Sequence, residues 1–484
     1  MKIATALPVW RVPSRSALRV LPGLVRDGLV GDLSVDQPLS TFVEPFEPQE
    51  WWIPVVRANQ AVPPGPGRPL TVIDSGVDLA HEEFATRPST IAMNQQTTSA
   101  PREEHGTAVS SVAAAPVNNL GVVGIYPQAA LQIWDASPFG DGLSVGDVVH
   151  GLDVAIRRGQ GVVNLSLGAP VRNPVLEAMV GVTVGSGTLV VAAAGNSRDR
   201  GNPREYPASL PHVLTVGALD RSGAPAFFSS GSQHLDLAAP GVDIPVAVPT
   251  TLHPPSFYEP AGFSGTSFAA PLVSGAAAWV WTVRPTLDVT QLFEVMRASA
   301  QDVSSPGYDT ISGFGRLDIP TALTVAPPAR DPQEPNEDVT YVKPGGLLRP
   351  APAPLTVAGK RSGAVNARLD LGDDPRDVYR VWIPGRRAAS IALQPSGGDV
   401  DLAAWGPLTR SVFEGGSARK RDFRGLSERN GTRRERLRVR NRGRKGAYFY
   451  VEASVGAGSS AGRKVAGLKY GLAVSIVRPK AARR

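Results

Sequence analysis

Between residues 51 and 320, short apolar runs alternate with stretches of helix length, and this alternation restricts the fold more than any other feature. The runs at 70–73, 131–134, 162–167, 188–193 and 213–216 are rich in Val, Leu, Ile and Ala. A strand that is apolar throughout belongs inside a sheet covered on both faces. The stretches at 145–158 and 174–185 are long enough for several helical turns. Strand, helix and strand in succession predict βαβ units, and hence an α/β, doubly wound, mostly parallel sheet with helices on both faces.

After residue 326 the pattern changes. Pro327, Pro328 and Pro332 mark a linker over 326–336. From 337 to 484 the helical period disappears, and short alternating runs at 378–383, 389–393, 447–453 and 470–476, separated by Gly clusters, predict an all-β sandwich. Residues 1–45 form a short leading segment that ends near Pro45 and Pro48, leaving 46–325 for the α/β part. A length of 484 residues suits two to three domains at roughly 100–200 residues each. Charge follows the same division. Residues 1–330 hold 20 Lys and Arg against 28 Asp and Glu, whereas 331–484 hold 30 against 15, so the basicity belongs to the tail.

The chain has no Cys, which excludes a disulfide frame, a thiolate metal site and a cysteine nucleophile. The longest nearly apolar run, 269–283, is interrupted by Ser274 and Gly275 and is shorter than the roughly 18–20 residues of a membrane span. The apolar patch after Lys2 is broken by Pro8 and Arg11, unlike the core of a signal peptide. Either the protein stays inside the cell or its true start lies upstream.

Three short motifs sit where this fold gives them meaning. Asp74 ends the run 70–73, and ligands collect at the C-terminal ends of parallel strands. His105-Gly106-Thr107 opens a small-residue helix over 108–115. In the segment 263–271, Gly265 permits close backbone approach and Ser267 enters a helix N-terminus. A hydroxyl is a weak nucleophile until a base takes its proton, and that base needs a carboxylate to fix its tautomer and stabilise the imidazolium. Ser267, His105 and Asp74 are the candidates for those roles. Asn196, at the end of the run 190–195, could offer its amide to a developing oxyanion together with the Ser267 backbone N–H. Each residue alone has an ordinary reading: a turn Asp, a structural His, an N-cap Ser. Their conjunction carries the inference. His81-Glu82 opens like a zinc-protease helix, but Ala85 stands where the second His is required. His150, His212, His234 and His253 are read as surface or packing residues.

The segments IDSGVD, HGTAV, NLSLG, AAAGN and SGTSFAAP, in the order Asp, His, Ser, resemble subtilisin-family serine proteases over residues 51–318. The resemblance implies a serine endopeptidase that needs no catalytic cofactor, with Asp74, His105 and Ser267 as the triad, an acyl-enzyme intermediate and Asn196 as oxyanion donor. It implies that Ser166, Leu167 and Gly168 on one side, and Ala193, Ala194 and Gly195 on the other, flank an extended peptide substrate. Glu205, just before Tyr206-Pro207, would lie at the base of the pocket for the side chain preceding the scissile bond, where a carboxylate favours Arg or Lys. The loop 116–122 resembles one that wraps a structural calcium ion, with Asn118 and Glu83 at side-chain ligand positions, although Asn-Asn before Gly is also an ordinary turn. Glu104, Ser111 and Phe268 depart from the family pattern. A Glu104 that faces inward should raise the pKa of His105.

In the tail, residues 331–337, 373–381, 398–402 and 446–451 resemble the bacterial pre-peptidase C-terminal domain, a β-sandwich attached to secreted peptidases, which implies secretion. Residues 1–45 resemble the end of an inhibitory propeptide, implying a zymogen cut between about 41 and 51. Arg436, Arg438, Arg440, Arg442 and Arg444 alternate as on one strand face, which suits either an anionic polysaccharide or surface as partner, or a solvated strand. A monomer acting on proteins or peptides is expected. The alternative of a different class is a catalytically silent scaffold used for surface binding or adhesion.

Overall fold

The computed structural model describes residues 27, 44–96, 104–139, 142–252, 257–456 and 467–478. The chain divides into two compact units, 1–43 and 44–484. The propeptide-like segment expected over 1–45 therefore lies almost wholly outside the described residues, as does His253.

Seven strands form one parallel sheet: β1 (Pro69–Asp74), β2 (Thr90–Ala92), β3 (Ala130–Asp135), β4 (Val162–Leu165), β5 (Leu189–Ala193), β6 (Val213–Leu219) and β7 (Leu235–Pro240). Their order is β2-β3-β1-β4-β5-β6-β7, and every pairing is parallel. The chain crosses from one side of β1 to the other between β3 and β4, which makes the C-terminal end of β1 a topological switch point. The near-continuous apolar character of these strands has a direct cause: successive side chains alternate between two cores. Leu70, Val72, Val162, Leu189 and Val191 pack on one face, while Ile73, Val163, Val190 and Ala192 pack on the other.

Helices Val145–Arg158 and Pro174–Gly185 cover the second face through Val148, Leu152, Ala155, Leu176, Val180 and Val184. Ser144 and Asn173 cap their first turns with side-chain oxygens. Helices Glu104–Ala114 and Thr266–Val283 cover the first face. Thr266–Val283 is apolar nearly all round, as a helix threaded through the centre of a core must be. No helix among the described residues is long and apolar enough to cross a membrane. A hairpin of β8 (Ile244–Ala247) and β9 (Tyr258–Phe263) follows the sheet.

The later strands are β10 (Ser362–Leu369), β11 (Arg376–Ile383), β12 (Ala388–Ser396), β13 (Val400–Trp405), β14 (Phe423–Ser427), β15 (Glu435–Arg440), β16 (Ala447–Val455) and β17 (Leu468–Val477). They form two antiparallel sheets, β10-β17-β12-β15 and β11-β16-β13-β14. Leu369, Ile391, Leu393 and Leu472 of the first share one core with Tyr379, Val381, Leu402 and Val451 of the second, which is a β-sandwich. The expected alternation of five arginines holds for three. Arg436, Arg438 and Arg440 are exposed around buried Val439, but β15 ends at Arg440, so Arg442 and Arg444 lie beyond the strand.

Candidate active site

Asp74 is the last residue of β1 and is almost fully buried. Its Oδ1 accepts from the Ser75 N–H at 2.8 Å, from the Ser75 hydroxyl at 3.3 Å and from His105 Nδ1 at 2.8 Å. His105 is the second residue of helix Glu104–Ala114, so the helix begins before the imidazole and not after it as the sequence suggested. Two contacts set the helix against β1. The Ser75 hydroxyl accepts the Gly106 N–H at 3.1 Å, and Thr107 Oγ1 accepts the Asp78 N–H at 3.0 Å. Residue 106 has to be glycine, because a Cβ there would meet the Gly76 carbonyl oxygen at 2.1 Å. Burial opposes a charge on His105, but the neighbouring Asp74 carboxylate and, in smaller part, Glu104 outweigh it and raise the imidazole above its ordinary pKa.

Ser267 is the second residue of helix Thr266–Val283, and its N–H is a first-turn amide with no acceptor inside the helix. Its hydroxyl donates to the Ser166 carbonyl at 3.3 Å. The His105 ring lies 5.8 Å from the ring of Phe268, the residue after Ser267, in a tilted contact. Asn196 follows the end of β5. Its Oδ1 accepts both the N–H of Thr266 at 2.9 Å and the Thr266 hydroxyl at 3.0 Å, while the same hydroxyl accepts the Gly195 N–H at 3.1 Å. With its carbonyl held twice, the amide has one orientation, and its Nδ2 lies beside Gly265 and the Ser267 turn.

Sequence reasoning quoted Ser75 and Thr266 without assigning them tasks, although they fix the carboxylate and the amide. The same holds for Asn164, the first residue of the NLSLG segment, whose Nδ2 donates to Ser166 Oγ at 2.9 Å and whose Oδ1 accepts from Ser274 at 3.1 Å. The signal was available: a polar residue in an otherwise apolar central strand.

A cleft of about 560 Å³ brings together Asp74, His105, Ser166, Leu167, Gly168 and Tyr206. Ser166–Gly168 continues the line of β4, and Ala169 then bridges to Tyr206. Ala193, Ala194 and Gly195 close β5, with the Ala194 N–H held by the Val216 carbonyl at 2.9 Å. Glu205 lies between the two segments. A Cβ on Gly168 would be 3.8 Å from its Oε2, and one on Gly195 would be 2.6 Å from its Cγ. Partial burial raises the Glu205 pKa. Of the nearby arginines, Arg198 is engaged with the carbonyls of Phe227 and Ala226, and Arg200 with the Asn196 carbonyl.

Glu83 and Asn118 do meet, but as hydrogen-bond partners. Asn118 Nδ2 donates to Glu83 Oε2 at 3.1 Å, and the Val122 N–H donates to Glu83 Oε1 at 3.0 Å. Asn118 Oδ1 accepts the Leu120 N–H, and Glu44 accepts the N–H groups of Asn118, Asn119 and Leu120. The loop thus turns N–H donors toward the Glu83 and Glu44 carboxylates, and Glu83 and Asn118, the residues expected to hold calcium, are hydrogen-bond partners of one another. Among the described residues, the group of carboxylates and His close enough to share an ion lies elsewhere.

The Subtilase family model matches residues 65–315. Subtilisin from Bacillus pumilus is 32% identical over 261 residues, covering 52% of this chain and 90% of that protein. Subtilisin E of Bacillus subtilis is 32% identical over the same length, which covers 65% of that longer protein. Among solved structures, the psychrophilic subtilisin-like protease Apa1 from the Antarctic psychrotroph Pseudoalteromonas sp. AS-11 matches 56% of this chain and 96% of its own at 20% identity, with a TM-score of 0.49. With half of the chain matched by the family and nine-tenths of a subtilisin covered, the chain belongs to the Subtilase family, and it is a serine endopeptidase.

Proposed function

We propose that Ser267 attacks the scissile carbonyl of a protein substrate, with His105 as general base and Asp74 as its orienting carboxylate. The 2.8 Å contact between His105 Nδ1 and Asp74 Oδ1 carries this reading: a carboxylate oxygen accepts, which supports a proton on Nδ1 with Nε2 left to accept one from the serine. Asn196 Nδ2 and the Ser267 N–H receive the oxyanion of the tetrahedral intermediate. His105 then returns the proton to the leaving amine, and a water activated by the same imidazole hydrolyses the acyl-enzyme. The backbone of Ser166, Leu167 and Gly168 takes the peptide as an added strand, with Ala193, Ala194 and Gly195 on its other side.

In this reading residues 46–325 are the catalytic domain and 337–484 a pre-peptidase C-terminal-like appendage, supported by the two four-stranded sheets. Its exposed Arg436, Arg438 and Arg440 support an anionic polymer as partner, and the appendage supports action outside the cell. The test is labelling by a fluorophosphonate probe with peptide mapping, alongside turnover of a fluorogenic peptide by Ser267→Ala. The probe should modify Ser267 alone, and turnover should fall by about 10⁶, the scale for loss of a triad member in subtilisin. An unlabelled wild-type chain, or a Ser267→Ala chain that still turns over, overturns the proposal.

A further inference from the structure

In the first sheet of the sandwich, Leu369, Ile391, Leu472 and Val439 face the core, which turns their alternate neighbours outward. Strand register sets these neighbours in rows across β10, β17, β12 and β15. One row is Ser362, Ser475, Ser390 and Arg438, and the next is Ala364, Ala473, Ala392 and Arg436. Farther along, Asn366 and Gln394 stand on either side of Gly471, and beyond them Lys469 stands between Arg368 and Ser396. The face is open: Ala473, Ser475, Ser390 and Ala364 are all exposed. It is also low. A Cβ on Gly471 would crowd the Asn366 amide oxygen at 3.1 Å, so its absence leaves room for that side chain.

The charge on this face has one sign. Glu435 is the only Asp or Glu in the four strands, and it is buried, accepting from the Ser427 hydroxyl and the Arg429 N–H. Among the described residues, Arg436, Arg440 and Lys469 have no carboxylate partner, and Arg438 donates to the Arg478 carbonyl. Charges that keep an edge strand from pairing with another chain would account for the arginines of β15. They do not account for Lys469, which lies on a strand paired on both sides. Nor do they account for Ala364, Ala473 and Gly471, residue types disfavoured in strands, at positions open to solvent. At the Lys469 end a cavity of about 310 Å³ opens toward the connecting segment, lined by Arg330, Asn366, Arg368, Gln394 and Lys469. Arg330 and Arg368 are paired there with Asp288 and Asp331.

We propose that this face binds a linear anionic polysaccharide, which lies on the low rows of β10, β17 and β12 with its acid groups toward Arg436, Arg438, Arg440 and Lys469. The inference rests on the reading of the β15 arginines as contacts for an anionic polymer, and gives that polymer a class and a bed. The arginines stand about 6.5 Å apart along β15, so successive acid groups of an extended chain can each meet a guanidinium fork. The hydroxyls of Ser390 and Ser475 and the amides of Asn366 and Gln394 offer donors and acceptors to sugar hydroxyls. A single-stranded nucleic acid would need aromatic side chains to stack on, and a membrane surface would need apolar ones to insert. The rows carry neither.

The experiment is calorimetric titration of the full chain carrying Ser267→Ala, which prevents self-digestion and keeps the result independent of the catalytic assignment. Alginate oligosaccharide is the probe, with neutral dextran, duplex DNA and phosphatidylserine vesicles for comparison. Alginate should bind, less tightly as salt rises, and dextran should not. Arg436→Gln, Arg438→Gln and Arg440→Gln combined should weaken alginate binding by about tenfold or more, and Lys469→Gln alone should weaken it severalfold. Ala473→Gln keeps every charge but raises a long side chain in the middle of the face. It should weaken alginate binding to a similar degree with the melting temperature unchanged. Alginate binding untouched by Ala473→Gln, or DNA or vesicles bound more tightly than alginate, overturns the inference and leaves the broader reading of an anionic polymer standing. Alginate binding untouched by the arginine substitutions, or matched by dextran, or no binding of any anionic probe, overturns both.

Discussion

Ser166 and Ser267 hold one another reciprocally: Ser166 Oγ donates to the Ser267 carbonyl at 2.8 Å, and Ser267 Oγ donates back to the Ser166 carbonyl at 3.3 Å. The longer bond is the weaker, so the nucleophile can leave it and turn to His105 while the shorter one holds its backbone. Through Asn164 and Ser274 the clasp continues into the centre of the long helix. Ser166→Ala should lower kcat about tenfold with KM little changed, the worth of one hydrogen bond that positions the reacting group. Unchanged kcat with altered KM would make Ser166 a substrate contact instead.

The rate should report the raised pKa of His105. Catalysis needs the neutral imidazole, so the acid limb of kcat/KM should have its midpoint above the ordinary value of about 6.5. Glu104→Gln should move that midpoint down, because Glu104 is one of the charges that raise the imidazole. The linked stability runs the other way with pH: the His105–Asp74 pair contributes fully below about 6.5 and fades as pH rises through the raised folded-state value. A midpoint indifferent to Glu104→Gln would show that this carboxylate does not sense the imidazole.

Asn196→Ala should cost about 10²–10³ in kcat, as loss of an oxyanion donor does in subtilisin. Thr266→Val tests the orienting role separately. It removes the hydroxyl that bonds Asn196 Oδ1 yet keeps the backbone N–H bond, so a loss of about tenfold in kcat is expected, together with reduced affinity for a boronic-acid transition-state analogue.

For specificity, kcat/KM is compared on paired peptides with Arg or Phe before the scissile bond. Glu205 lies between Gly168 and Gly195, with Arg198 and Arg200 engaged elsewhere. Wild type should favour Arg, and Glu205→Leu should lose that preference by about 1–3 kcal/mol. A ratio untouched by the substitution would remove Glu205 from the pocket.

Arg297 is 1% exposed and reaches Glu294 at 2.8 Å, Asp370 at 2.6 Å, and Asp236 and Asp373 at 3.6 Å, tying the helix Val289–Ala298 and β7 to the sandwich. Arg297→Met takes the central cation from this group and should destabilise the chain by about 3–5 kcal/mol in urea unfolding. Lys at the same position should recover less than half, since one ammonium cannot match a fork of donors.

Legibility followed the physics of each element. Helices Val145–Arg158 and Pro174–Gly185 were readable to the residue because Ser144 and Asn173 announce their starts and Gly159 and Gly187 follow their ends. Strand β7 was missed because Leu235–Pro240 alternates apolar residues with Asp236, whose carboxylate is buried against the Thr215 N–H at 2.7 Å, and only the fold reveals that partner. The candidate site was legible because its groups sit in local motifs at strand ends and helix starts. The contacts of His212 were not, since Glu334 and Glu337 lie more than a hundred residues away, where the linker meets the β domain.

The contact between Gly76 and Gly106 places the main chain just past β1 and that of the helix against each other with nothing in between. The spacing of carboxylate and imidazole is consequently a property of two backbones rather than of side-chain packing. A single methyl group at residue 106 would act as a shim of roughly an ångström, and a 2.8 Å bond stretched by that amount is no longer a hydrogen bond. Sequence drift in the surrounding core can thus soften the domain long before it detunes the proton path, whereas drift at this one joint switches the chemistry off in a protein that still folds.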